Sequence, residues 1–179
     1  MKFRALTAKE TECRVKSFIQ KPSWSGVMLL LYKNARVDMD ILDETVGAEN
    51  WKRHHYECKG NLFCTVSINV NYYIPEGKPN WVEKSDCGAE SLTDKEKGES
   101  SDSFKRACFN WGIGRELYTA PRILIPADCC NIYNDSKGKA KCDDKFYVHE
   151  MEVKDGRITH LVIYNANLKK DVFFYPKKQ

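Results

Sequence analysis

Eight cysteines, four histidines and several carboxylate–lysine pairs are the residues of this chain that could do covalent or metal chemistry. Cys13, Cys58, Cys64, Cys87, Cys108, Cys129, Cys130 and Cys142 contain no C-x-x-C pair, so no zinc framework is predicted. Cys129-Cys130 with Cys142, near His149, comes nearest to a metal set; reduced thiols packed as small hydrophobes are the expectation. His54-His55 sit side by side, and on a strand adjacent side chains point to opposite faces, so the two rings do not share one ligand. A Mg²⁺-dependent nuclease needs clustered carboxylates with a lysine beside the attacking water. Asp43 with Glu57-Cys58-Lys59, and Asp143 with Glu152-Val153-Lys154, imitate that pattern; E-x-K also arises often by chance in a charged chain. The phosphate-binding G-x-x-x-x-G-K-[ST] is missing, and Gly112-Ile113-Gly114 lacks the third glycine of a dinucleotide fingerprint. H-E-x-x-H and G-x-S-x-G are missing too. No catalytic residue, metal or cofactor is predicted.

A chain of 179 residues, 42% hydrophobic, is long enough for one well-buried core and short for two. Lys and Arg total 29 against 25 Asp and Glu, a formal charge of +4. That bias suits a polyanionic partner and equally an ordinary surface, so placement of the charges decides. Met1-Lys2-Phe3-Arg4-Ala5-Leu6-Thr7 lacks the apolar core of a signal peptide. The longest apolar run, Val27 to Tyr32, is far short of the roughly 18–20 residues of a membrane span. A soluble protein of the cytoplasm, the bacterial host's if phage-encoded, is expected.

These residues need elements to hold them. Thr7 to Phe18 reads as a short helix, with Thr7 and Glu10 at capping-box spacing and Cys13, Val15 and Phe18 inward. Val27 to Tyr32 reads as a buried strand. Asn34 caps a second helix to Val46, stopped by Gly47, with Asp38, Asp40, Asp43 and Glu44 on a solvated face. Trp51 to Cys58 and Leu62 to Tyr73 form a hairpin about Lys59-Gly60-Asn61. In its second arm Leu62, Cys64, Val66, Ile68, Val70 and Tyr72 alternate with more polar neighbours, the period of a strand with one buried face. Trp81 to Ala89 is a third strand after the loop Pro75 to Pro79. Phe104, Ala107, Cys108 and Trp111 then mark one face of a long helix, with Lys105 and Arg106 off that face. From Ile123 on the chain reads as β, with a hairpin about Asp155-Gly156 and a further strand at Val172 to Tyr175.

The predicted fold class is therefore α+β: an antiparallel β-meander packed against a long helix. This β-β-β-α core is preceded by a helix-strand-helix segment and followed by a C-terminal antiparallel β extension. Residues 1–122 form the core and 123–179 the extension, packed on the same domain.

From Val27 to Tyr118 the order of elements and their motifs resemble the Rad-fifty-two-type single-strand annealing family. Arg36-Val37 and Gly47-Ala48-Glu49-Asn50-Trp51 look like the start and end of its first core helix. Asp86-Cys87-Gly88 looks like the Asp-x-Gly of its third strand. Asp102-Ser103-Phe104-Lys105-Arg106-Ala107, followed by Trp111-Gly112, looks like its Asp-x-x-Lys-Arg-Ala segment. The stretch from Trp81 to Tyr118 is also similar to annealing proteins carried by phages and prophages. The chain departs from the family at Phe109, where an arginine is usual, with Arg115 a little later, and in a first helix longer by one residue, which shifts Arg36.

The resemblance implies a self-assembled ring or filament whose rim groove, between hairpin and long helix, holds single-stranded DNA. It implies a DNA-recombination and repair role without ATP, with room for a partner exonuclease or single-strand-binding protein. An annealer must grip backbone without reading sequence and leave base edges open, which favours Lys and Arg over a continuous stacking platform. Phosphate contacts are accordingly expected from Lys52, Arg53, Lys105 and Arg106, then from Arg36, Lys95 and Lys97. The alternatives are a monomeric nucleic-acid-binding module without annealing activity, and the nuclease.

Overall fold

The computed structural model describes residues 1–89 and 95–176, and of residues 95–97 the backbone only. In chain order the elements are β1 (Thr11–Lys21), β2 (Trp24–Lys33), α1 (Ala35–Val46), β3 (Trp51–Cys58), β4 (Asn61–Asn69), β5 (Trp81–Cys87) and α2 (Lys95–Trp111). There follow β6 (Ile123–Pro126), β7 (Tyr133–Asn134), β8 (Ala140–Lys141), β9 (Phe146–Lys154), β10 (Arg157–Asn165) and β11 (Lys170–Tyr175). They form two compact units, Met1–Arg4 with Asn34–Arg115, and Ala5–Lys33 with the chain from Glu116 onward. Among the described residues no helix is long and apolar enough to cross a membrane.

The α+β expectation, a meander against a long helix with an appended extension, is overturned. Strand covers 46% of the chain against 24% helix, with α1 and α2 the only α-helices among the described residues. The largest element is a six-stranded antiparallel sheet ordered β11-β10-β9-β1-β2-β6, whose edge strands β11 and β6 meet to give a nearly closed, barrel-like form. The C-terminal strands are thus no extension of the preceding core. They share their sheet with β1 and β2 from the chain's start.

The reason lies in β1, where a helix was expected. Thr7 and Glu10 do meet, both the Thr7 amide and its hydroxyl reaching Glu10 Oε2 at 2.8 Å. They close only the short 3-10 turn Ala8–Glu10, and the chain then extends. A bulge between Val15 and Ser17 inserts one extra residue into the pairing of β1 with β2. The bulge moves the inward position from 17 to 18, so Cys13, Val15 and Phe18 all pack on the core of Val27, Leu29, Ile125, Leu161 and Ile163. A strand with one bulge therefore imitates helical spacing.

The first unit is nearer to expectation element by element. Asn34 Oδ1 accepts from Arg36 N at 3.0 Å to cap α1, and Gly47, at φ 85°, ends it through Gly47 N to Asp43 O at 2.9 Å. Asp38, expected on the solvated face, is instead fully buried. β3, β4 and β5 form an antiparallel sheet in that order. The β3–β4 turn needs positive φ at Lys59 and Gly60. β4 ends at Asn69 rather than Tyr73, because Asn69 Oδ1 turns back to accept from Asn71 N and Asn80 N, at 3.2 and 2.9 Å. Cys64, Val66 and Ile68 are wholly buried with Ile41, Leu42, Phe104, Ala107 and Cys108, the contact that seats α1 and α2.

Candidate nucleic-acid interface

Strand alternation gives the β3-β4-β5 sheet two faces. The registers Trp51↔Ile68, Arg53↔Val66 and His55↔Cys64, with Val82↔Ile68, Lys84↔Val66 and Asp86↔Cys64, place all these residues on the helix-side face. Lys52, His54, Tyr56, Phe63, Thr65, Ser67, Asn69, Trp81, Glu83 and Ser85 occupy the outer one.

Cations on the helix-side face are engaged in the fold. The Arg53 guanidinium lies 4.8 Å from the centroid of the buried Phe104 ring, on which Trp51 also stacks at 6.1 Å. His55 Nε2 lies 3.2 Å from both the backbone and the hydroxyl oxygen of Ser100. Lys84 Nζ donates to Asn110 O at 2.8 Å and sits 4.7 Å over Trp111, whose indole N–H reaches Val66 O. Arg115 donates to Phe109 O at 2.9 Å and Asn110 O at 2.8 Å. Lys84 and Arg115 together satisfy carbonyls at the C-terminus of α2, where the helix dipole favours positive charge. Arg115, a little after the Phe109 that stands where the family's arginine is usual, thus caps the helix.

The Asp-x-Gly motif is structural as well. Asp86 accepts from Asn110 Nδ2 at 3.2 Å and from Cys87 N at 2.8 Å. A Cβ on Gly88 would lie 2.3 Å from Glu99 O, so only glycine lets the end of β5 approach α2 this closely.

Arg106 pairs with Asp102 at 2.9 Å, one turn earlier. Asp102 also accepts from Ala89 N, and Asn110 bonds Ser85 O, so this flank of α2 is the one that meets β5. Successive helical residues point about 100° apart, which puts Lys105 on the other side of the outward ridge. Lys52 and Arg53 point through opposite faces of the sheet. Arg36 is exposed in the first turn of α1; Lys95 and Lys97 are in the first turn of α2, with side chains outside the described ones. The five expected cations whose side chains are described, Lys52, Arg53, Lys105, Arg106 and Arg36, are therefore not gathered into one groove within this unit.

The outer face holds what the sequence reading missed. Lys52 Nζ lies 4.5 Å over the Trp81 ring. Tyr56 lies 5.5 Å from Phe63 and 6.2 Å from His54, with ring planes within 20° and 12° of parallel. Tyr56 and Trp81 are each 38% exposed. Between them Thr65 and Ser85 share a 2.7 Å hydrogen bond and Ser67 donates to Glu83 at 2.9 Å, so the floor is polar and hydrogen-bonded. The signal was available: residues 52, 54 and 56 alternate on a strand, and Phe63 and Trp81 fall in phase with them.

The residues weighed for metal chemistry do not converge. Asp43 accepts from the Trp51 indole at 2.6 Å, and Asp143 accepts from the Tyr133 hydroxyl. Among the described residues no group of three His, Cys, Asp or Glu is placed to hold a metal ion. All eight cysteines are free thiols. Burial pushes Cys64 up to about 11 against the pull of Arg53, and pushes Cys13 and Cys130 up to about 12. In the second unit β1 and β9 pair only at Glu12–Tyr147, beside a cleft of about 730 Å³ lined by Cys13, Arg14, Tyr32, Asp144 and Tyr147. Its charges are mixed in sign.

No protein-family model, curated protein or solved structure matches the chain.

Proposed function

We propose that the protein binds single-stranded nucleic acid without ATP and anneals complementary strands, acting as a self-assembled ring or filament in recombination and repair in the cytoplasm. The observation that carries this reading is the outer face of the β3-β4-β5 sheet. It presents flat, part-exposed rings beside an ammonium group on a polar floor. Unpaired bases stack on such rings whatever their identity, and a lysine beside them neutralises phosphate. Duplex DNA hides its base faces and offers such a surface nothing to stack on.

The ring row is short. It engages a few bases per subunit and leaves the remainder of a bound strand open for pairing, as an annealer requires. Lys105 and Arg106 on α2 supply further phosphate contacts, Arg106 by exchanging its part-exposed partner Asp102, an i,i+4 pairing of modest stabilising value. The resemblance from Val27 to Tyr118 supplies the oligomer, the recombination role, and room for a partner exonuclease or single-strand-binding protein.

One observation favours a second reading. Stacking holds bases down, so the same rings suit a single-strand binder that does not anneal. Mixing the protein with two complementary labelled strands separates the readings. An annealer accelerates duplex formation without ATP; a plain binder slows it or leaves it unchanged. Shortening of the strands on adding Mg²⁺ would favour a nuclease over both.

A further inference from the structure

The second unit carries a small hairpin whose construction sorts its charges by role. β7 and β8 pair through Tyr133↔Lys141 and Asn134↔Ala140, and the turn between them holds Lys137 and Lys139. Each nearby carboxylate is engaged in building this hairpin. Asp135 Oδ1 accepts from Lys137 N and from Lys139 N, both at 2.9 Å, and Asp135 N donates to Lys139 O at 2.9 Å. The Lys139 amide, with the Lys137 amide and the ammonium groups of Lys141 and Lys139, holds the Asp135 carboxyl below the ordinary carboxylate range. Asp143 accepts from the Tyr133 hydroxyl. Asp144 accepts from Asn131 N, Asn131 Nδ2 and Asn165 Nδ2, each at 2.8 Å, at the hairpin's base. Burial raises the Asp144 pKa, and these donors outweigh it, so its carboxylate stays charged well into acid.

The lysine ammonium groups make no hydrogen bond in the hairpin; those of Lys141 and Lys139 act on Asp135 through space only. The side chains of Lys137, Lys139 and Lys141 are exposed, and none makes a salt bridge among the described residues. Tyr133 is 46% exposed and faces the same side as Lys141, its direct cross-strand neighbour. The turn is held rigid by Asp135 and by Gly138, whose φ of 73° suits glycine. Fixed backbone, solvent-exposed ammonium groups and an adjacent ring are what a phosphate-and-base contact requires. An acidic peptide would find the charges here and no use for the ring.

We propose that the β7–β8 hairpin is a second single-strand contact of this protein. Lys137, Lys139 and Lys141 hold successive phosphates, and Tyr133 lies against a base. The inference rests on the reading that the chain takes single-stranded nucleic acid, and it adds a site in the other unit.

The test is a salt titration of full-length protein binding labelled oligo(dT) of about 30 nucleotides, using Lys137→Ala/Lys139→Ala/Lys141→Ala beside Lys105→Ala/Arg106→Ala. Each phosphate contact on a single strand contributes about −0.7 to the slope of log affinity on log salt, so the hairpin variant's slope should be shallower by about 2. Its affinity at low salt should fall at least about ten-fold, and replacement of the three lysines by arginine should restore both. An unchanged slope and affinity in the hairpin variant overturns the hairpin contact; if the α2 variant has then weakened, the function proposed for the first unit stands. A weakened hairpin variant with an unaffected α2 variant supports the hairpin and counts against the α2 contacts. Equal binding of polyglutamate through the same lysines would make this an acidic-peptide site and overturn the inference. Failure of the unmodified protein to bind oligo(dT) at low salt overturns both.

Discussion

The two faces of the β3-β4-β5 sheet hold similar residue types and put them to different use. On the helix-side face Arg53 covers a buried ring, and Lys84 joins Arg115 in closing the end of α2. These charges are partnered by carbonyls and ring faces, so phosphate would have to displace structure to reach them. On the outer face Lys52 and Trp81, and His54, Tyr56 and Phe63, face away from the helices. A cation therefore points to ligand binding only after its structural duties have been subtracted, and residue type alone does not perform that subtraction.

The contrast is broken most directly by removing rings. Tyr56→Ala with Trp81→Ala should weaken single-strand binding about a hundred-fold, since each stacked base contributes about 1–3 kcal/mol. The thermal midpoint should move little, because both side chains are part-exposed; fluorescence anisotropy and calorimetry on the same sample check the two halves. On the helix-side face the effects should reverse. Lys84→Ala removes a charged hydrogen bond and a ring contact, costing about 2 kcal/mol in urea denaturation, with affinity for oligo(dT) unchanged. A Lys84 variant that binds poorly at full stability would erase the distinction between the faces. Smallest is the change for Lys105→Ala with Arg106→Ala: the salt slope should fall by about 1.4, two single-strand phosphate contacts. Stability should shift by only about 0.3–0.5 kcal/mol, the value of an exposed i,i+4 pair.

Much of the first unit was legible because its signals are local. Asn34 and Gly47 bracket α1, Lys59-Gly60 turns the hairpin, and Cys64, Val66 and Ile68 keep period two in one strand. The second unit was not, for two physical reasons. The bulge after Val15 gave β1 the spacing of a helix. The pairing of β1 with β9 joins residues far apart along the chain, and no local pattern announces such a partner. For the site, Phe104, Ala107 and Cys108 of α2 are buried while Lys105 is half-buried and Arg106 exposed. The expectation of one shared groove did not allow for Lys52 and Arg53 projecting through opposite faces. The rings were passed over because an annealer was expected to avoid them, although alternation in β3 placed His54 and Tyr56 beside Lys52.

Tryptophan fluorescence on titration with oligo(dT) tests the outer face most directly: of the four tryptophans Trp81 lies on it, Trp51 and Trp111 are engaged beneath the sheet, and Trp24 belongs to β2 of the other unit. A base stacked on Trp81 quenches its emission. The unmodified protein should therefore lose fluorescence as it saturates, and Trp81→Phe should bind with little change in affinity and almost no quenching. Quenching that persists in full in Trp81→Phe would place the nucleic acid elsewhere and contradict the account.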